Sequence, residues 1–206
     1  MTNTLYYVHD PMCSWCWAYQ PAWSAVCERL ADSVDVVYLL GGLAADSDQV
    51  MSLQMQQSIQ AIWRRIECQL GTHFNHDFWR DCQPRRSTYP ACRAVIAAQR
   101  QGRAHEMIRA IQSAYYLEAK NPSDNELLIV LARQLGLDVE RFCVDLIADG
   151  TQSELDRQCR FARQLPIQGF PSLVLATASG QYHAVKLDYS NPQVTLVDID
   201  RLMDES

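Results

Sequence analysis

Leu5-Tyr6-Tyr7-Val8-His9-Asp10-Pro11-Met12-Cys13-Ser14-Trp15-Cys16 is the stretch that decides the fold. Its first four residues are an apolar, β-favouring run and predict a strand. The two cysteines then open a helix-like segment running to about Leu30. The first turn of a helix carries unpaired N–H groups and the positive end of the helix dipole. A thiol placed there is held as thiolate, the form that attacks a disulfide. Cys13 is therefore the expected nucleophile. Cys16, one turn further in, can expel a partner from a mixed disulfide on Cys13. Pro11 restricts the backbone ahead of the pair, and Pro21 is expected to kink the helix behind it. Between the cysteines, Ser14 offers a hydroxyl donor to a thiolate. Trp15, with Trp17, offers an apolar rim suited to extended peptide.

Outward from this motif the chain reads in three parts. Residues 1–44 read strand, helix, strand, with the second strand over Val34 to Leu40, closed by Gly41-Gly42. Residues 45–165 read as helices. Met51, Met55, Ile59, Ile62, Ile66 and Leu70 recur at helical spacing and predict a core stripe. Ser87 and Thr88 are candidate N-caps before Pro90, and Ala91, Ala94, Val95 and Ala98 share one face. Ser123 with Glu126, and Thr151 with Glu154, have capping-box spacing. Leu127, Leu131 and Leu135 follow the first box; Leu155, Cys159 and Ala162 follow the second. Residues 166–206 return to strands at Ser172 to Ala176 and Tyr182 to Leu187, with a turn at Ser179-Gly180. Asn191-Pro192 opens a last helix, against the β-branched preference of Val194, Thr195 and Val197. The order βαβ, helices, ββα predicts an α/β sheet domain, 1–44 with 166–206, carrying an inserted all-helical domain, 45–165.

A second element accompanies the cysteines. Gly169-Phe170-Pro171-Ser172 leads directly into the strand Leu173-Val174-Leu175. An aromatic residue before proline favours a cis bond, and cis prolines in folded proteins mark tight turns. Beside the cysteines, such a turn lets Phe170 offer backbone groups to an incoming chain.

With these residues in view, the chain resembles the thioredoxin-fold DsbA-like family. The strand leading to Asp10-Pro11-Met12-Cys13-Ser14-Trp15-Cys16, then Pro21, the helical insertion and Gly169-Phe170-Pro171 carry the resemblance, which spans essentially the whole chain. It is most similar to the unexported branch described as predicted disulfide isomerases, near FrnE-like proteins. The resemblance implies a thioredoxin-like fold with a mixed central sheet and a helical lid. It implies Cys13 as exposed nucleophile, Cys16 as resolving thiol and Pro171 as the cis-proline. Exported DsbA proteins carry Pro-His where this chain has Ser14-Trp15, and they carry a signal peptide. Without the histidine a less oxidising couple is expected.

Composition sets the remaining bounds. The chain has 206 residues, 48% hydrophobic and 20% charged, enough for a sizeable core. A net charge of −6 argues against nucleic acid or an anionic membrane as main partner. Met1-Thr2-Asn3-Thr4 has neither the basic nor the apolar stretch of a signal peptide, and no apolar run approaches a membrane span, so a cytoplasmic location is expected. The other six of the 8 cysteines are irregularly spaced, which fits reduced thiols better than a disulfide framework. No second CxxC or CxxH completes a zinc site, so no metal is expected. His73-Phe74-Asn75-His76-Asp77 reads as a polar loop, and Cys92 as a small core residue. Arg64-Arg65 and Arg85-Arg86 read as solvated charge, with either pair open to the carboxylates of glutathione. His9 and Asp10 are candidate proton carriers, equally explained as strand-end packing and a helix cap.

The function expected from sequence is a thiol–disulfide oxidoreductase, working as reductase or isomerase, with its own dithiol as redox group. Its partners would be a disulfide-containing protein or small thiol substrate, and glutathione or a thioredoxin-type reductant. Trp15, Phe170 and Pro171 would meet the substrate. Two rivals stand beside it. One is a glutathione-dependent isomerase or kappa-type glutathione transferase relative, a group that typically carries serine in place of the first cysteine. The other is a peptide-binding module switched by its cysteines.

Overall fold

The computed structural model describes residues 3–30 and 34–205; Met1 and Thr2 lie outside them. In chain order the elements are β1 (Thr4–His9), α1 (Ser14–Leu30), β2 (Asp35–Leu40), α2 (Leu53–Leu70), α3 (Phe78–Asp81), α4 (Tyr89–Gln99), α5 (Ala104–Tyr116), α6 (Asn125–Gln134), α7 (Val139–Ile147), α8 (Asp149–Ala162), β3 (Ser172–Ala176), β4 (Tyr182–Val185) and α9 (Pro192–Asp204). The chain divides into two compact units: residues up to Gly41 with those from Gln158 onward, and Gly42–Arg157.

The first unit is a thioredoxin-like mixed sheet in the order β2-β1-β3-β4. β1 and β2 are parallel, as a strand–helix–strand crossover demands, with Thr4 opposite Asp35 and His9 opposite Leu40. β3 runs antiparallel to β1, and β3 with β4 forms the hairpin turned at Gly180, where φ is 84°. β4 ends at Val185, short of the expected Leu187.

Strand alternation splits this unit's core in two. Leu5, Tyr7, Leu173 and Leu175 meet Tyr19, Trp23, Val26 and Leu30 of α1 and Leu196, Ile199 and Leu202 of α9 on one side. Val8, Leu39 and Val174 meet Ala162 and Leu165 on the other. Each large side chain so buried contributes roughly 1.5–3 kcal/mol. Pro21 lies inside α1, which continues past it from Ser14 to Leu30. α9 forms despite its β-branched residues. Asn191 caps it by accepting from the Gln193 N–H, Pro192 holds the first position, and Thr195 and Leu196 are buried while Val194 and Val197 are left in solvent.

The second unit is helical. Trp63 is its aromatic hub, with ring centroids 5.0 Å from Phe74 and 5.0 Å from Trp79, and further contacts to Phe78, Tyr115 and Tyr116. The α4 face Ala91, Ala94, Val95 and Ala98 is buried, with Cys92 beside it. Thr88 is the α4 N-cap, yet its hydroxyl exchanges hydrogen bonds with the Ala44 backbone instead of capping.

Several expectations are corrected here. The stripe on α2 is only partly a core: Ile66 is fully buried, Met51, Ile59, Ile62 and Leu70 are half-buried, Met51 precedes the helix, and Met55 is 40% exposed. Periodicity identifies a face but not what covers it. Ser123 is not the α6 cap. Asp124 holds that position, and the Ser123 hydroxyl donates to the Ser87 carbonyl. The buried face of α6 is consequently Leu128, Leu131 and Ala132. Thr151 lies within α8, where its hydroxyl donates to the Asp145 carbonyl of the preceding helix. Arg85 is not freely solvated: it is half-buried and pairs with Asp124 and the Ser123 carbonyl.

Candidate functional site

β1 ends at His9, and the chain must turn before α1 can pack on the sheet. Asp10 makes that turn. Its carboxylate accepts the Met12 N–H at 2.8 Å and its carbonyl accepts the Cys13 N–H at 3.0 Å. The Cys13 carbonyl accepts from the Trp17 N–H at 3.0 Å, so Cys13 occupies the N-cap position and Ser14 begins the helix. Cys13 is 7% exposed and Cys16 1%. Neither is joined in a disulfide.

The two thiols are driven in opposite directions. Cys13 is lowered from the usual thiol range, first by a hydrogen bond from the Cys16 thiol and then by the backbone N–H groups of Cys16 and Trp15, against the opposing pull of burial. Cys16 is raised well above that range by burial, by its bond to Cys13 and by Cys13's charge. The helix-start amides expected from sequence do contribute. The larger cause is the partner thiol, which spacing alone does not reveal. An anionic outer sulfur beside a protonated inner one is the arrangement that attack followed by resolution needs.

Phe170-Pro171 is a cis peptide. The Cys13 thiol donates to the Phe170 carbonyl at 3.5 Å, so the loop before β3 stands at the nucleophile. Gly41, at the end of β2, makes room for it. A Cβ there would lie 2.1 Å from the Phe170 ring. Gly41 also donates its N–H to the His9 carbonyl at 2.8 Å, extending the β1–β2 ladder to the mouth of the site.

His9 and Asp10 are both buried. The His9 ring stacks on Tyr7 with centroids 5.1 Å apart and meets Tyr38 edge-on at 5.6 Å. Tyr7 in turn lies near enough to both cysteines for their charges to raise its phenol, after burial. Trp15 is half-buried, its ring 5.4 Å from Tyr189 in a T-shaped contact. Ser14 is also half-buried. Sequence reasoning missed Tyr189, Tyr7 and Gly41. Tyr7 and Gly41 stood in quoted stretches without a role. Tyr189 lies in the loop before α9, where no motif marks it.

Among the described residues no group of three or more His, Cys, Asp or Glu is arranged to hold a metal. His76 instead contacts Glu67 at 3.0 Å within the second unit. No helix among the described residues is long and apolar enough to cross a membrane.

Three comparisons place this arrangement among known proteins. A family model described as Thioredoxin matches residues 6–197. The ClpXP adapter protein SpxH of Bacillus subtilis (strain 168) is 25% identical over 187 residues, covering 89% of this chain; the match spans only 61% of that relative's length. Among solved structures, a candidate protein disulfide isomerase from Nitrosomonas europaea superposes with a TM-score of 0.86 at 22% identity, covering 100% of this chain and 99% of that one. The cytosolic disulfide reductase DsbM from Pseudomonas aeruginosa with GSH gives 0.76 at 23% identity, covering 97% and 98%. Both likenesses concern the fold.

Proposed function

We propose, since the chain belongs to the thioredoxin family, that it is a thiol–disulfide oxidoreductase working in the reducing or isomerising direction. One observation carries the reading: two thiols three positions apart, the outer lowered and the inner raised. Cys13 as thiolate attacks one sulfur of a substrate disulfide. A mixed disulfide forms and the other substrate sulfur leaves as thiolate, to be protonated. Cys16 then loses its proton and attacks the Cys13 sulfur. The second substrate thiolate leaves, and the substrate has gained two electrons while the pair has become a disulfide. Two glutathione molecules, themselves oxidised to their disulfide, restore the dithiol.

Glutathione as reductant is supported by the DsbM likeness, whose structure carries GSH, and a cytoplasmic location by that protein's description as cytosolic. Trp15, Phe170 and Pro171 form the substrate edge in this reading, with Phe170 offering backbone groups to an extended chain. Ser14, Asp10 and His9 are auxiliary, Asp10 being the nearest of them to a proton route because its charge is felt by both sulfurs. Insulin reduction by glutathione tests the proposal. Wild type accelerates precipitation and Cys13→Ser does not; equal rates would refute it.

The name of the Bacillus relative favours a second reading, an adapter that binds a protein partner and delivers it to ClpXP. Partner binding that survives Cys13→Ser together with Cys16→Ser, in a protein inactive toward insulin, would replace the first reading with the second.

A further inference from the structure

We propose that Tyr189 is a positioning residue of the dithiol: seated against Trp15 and Tyr19, its ring shields Cys16 from water and so sets when the resolving thiol can ionise. The inference deepens the oxidoreductase reading and rests on it for its meaning, though not for its test.

The geometry begins with the helix. Trp15 and Tyr19 lie four residues apart on α1 and so share a face. The Tyr189 ring meets both edge-on, with centroids 5.4 Å from Trp15 and 5.3 Å from Tyr19. It is partly buried against the core cluster of this unit. Cys16 lies three residues before Tyr19, one turn along the same side of α1, and is itself 1% exposed, so a ring seated on Tyr19 stands on the side of the helix that carries the inner sulfur.

The loop that presents Tyr189 is fixed on both flanks. The Asp188 carboxylate accepts the N–H groups of Ser190 and Asn191, each at 2.8 Å. Those two bonds also hold its carboxyl below the usual range. Asn191 then caps α9 through the Gln193 N–H at 3.1 Å. A ring carried on a doubly tied turn keeps its place at little entropic cost.

Among the described residues, the titratable groups coupled electrostatically to Cys16 include Cys13 beside it, Asp10 from the turn before α1, Tyr7 from β1 and Tyr189 from the loop before α9. After burial, Cys16 is the largest electrostatic influence raising the Tyr189 phenol, ahead of Cys13 and Tyr19. The ring acts by excluding water. Removing it hydrates Cys16 and eases its ionisation, whereas removing only the hydroxyl leaves the shield in place.

The test reads Cys16 alone. In a Cys13→Ser background, iodoacetamide alkylation of Cys16 is followed across pH by peptide-resolved mass spectrometry, with Tyr189 intact, as Tyr189→Phe and as Tyr189→Ala. The expected result is a midpoint moved to lower pH in Tyr189→Ala, with a several-fold faster reaction at pH 8, and no movement in Tyr189→Phe. An unmoved midpoint in Tyr189→Ala overturns the inference. So does equal movement in both variants, which would make the hydroxyl rather than the ring responsible. A loss of thermal stability without a changed pH profile assigns Tyr189 a structural role only and also overturns it. Failure of wild type to reduce insulin would sink the oxidoreductase reading and leave this measurement standing by itself.

Discussion

At the scale of single residues, the chemistry rests on one sulfur leaning on another. The Cys16 thiol is the largest influence lowering Cys13, and a hydrogen bond to a charged acceptor is worth about 1.5–3 kcal/mol. Cys16→Ala removes it, so Cys13 alkylation below pH 7 is expected to slow roughly ten- to hundredfold. A pH–rate profile unchanged by the substitution would return the credit to the helix-start amides. The same pair gives the reduced protein a defined pH dependence. Cys13 ionises more easily folded than unfolded, so its stabilising contribution is full above about pH 8.5 and is lost as pH falls through the folded value. Cys16 is raised, so its contribution runs the other way and stability declines as pH climbs past about 8.5. Thermal melts of the reduced protein between pH 8 and 10 are expected to fall less steeply in Cys16→Ala than in wild type. Gly41 makes a third case. A methyl group there meets the Phe170 ring, and Gly41→Ala is expected to cost about 1–3 kcal/mol by urea unfolding while displacing Phe170 from its place near Cys13. Insulin reduction then falls although Cys13 alkylates as before. That Cys13, Cys16 and the Phe170–Pro171 turn would be worth placing together was legible in sequence, because each is a residue type with one unusual property at a marked position. Gly41 and Tyr189 were not, since each matters through a contact made by chain folding.

Among the elements, helix ends decide where the site residues stand. Asp10 ties the turn that leads into the Cys13 N-cap of α1, and Asn191 with Pro192 starts α9 directly. An N-cap asparagine replaced by alanine typically costs about 1 kcal/mol. Asn191→Ala is expected to lower the urea midpoint by a corresponding amount and to loosen the loop carrying Tyr189, seen as faster amide exchange at Ser190. An unaltered midpoint would mean that Pro192 alone starts the helix. The sheet elements were readable because β-branched runs bounded by Gly and Pro leave few alternatives, and β3 matches its expected span. Helix starts were read less well, since serine and threonine satisfy other backbone groups as readily as a cap. Thr88 bonds to Ala44, Ser123 to Ser87 and Thr151 to Asp145. A capping-box spacing records a possible partner, and tertiary structure chooses among the competitors.

For the molecule as a whole, two compact units share one chain, and the Cys13–Cys16 pair belongs to the first. Every group found to set Cys13 lies in the first unit: Asp10, Trp15 and Cys16. The second unit has its own centre at Trp63, 1% exposed and ringed by aromatic partners. The inserted helices were legible as helices, yet their centre was not. The periodic stripe on α2 buries only Ile66 fully, and Trp63, four residues after Ile59 on the same face, is the side chain that the sequence reading left out. A single-sequence pattern weighs apolar positions equally, whereas packing rewards the residue that reaches most neighbours. Truncating a fully buried aromatic costs about 3–5 kcal/mol. Trp63→Ala is therefore expected to lower the urea midpoint steeply. In the protein that remains folded, Cys13 should still alkylate with the wild-type pH profile, because none of the groups that lower it has been touched. If the profile moves with Trp63, the thiol pair takes its chemistry from the helical unit as well, and the oxidoreductase reading would have to include that unit in its active centre.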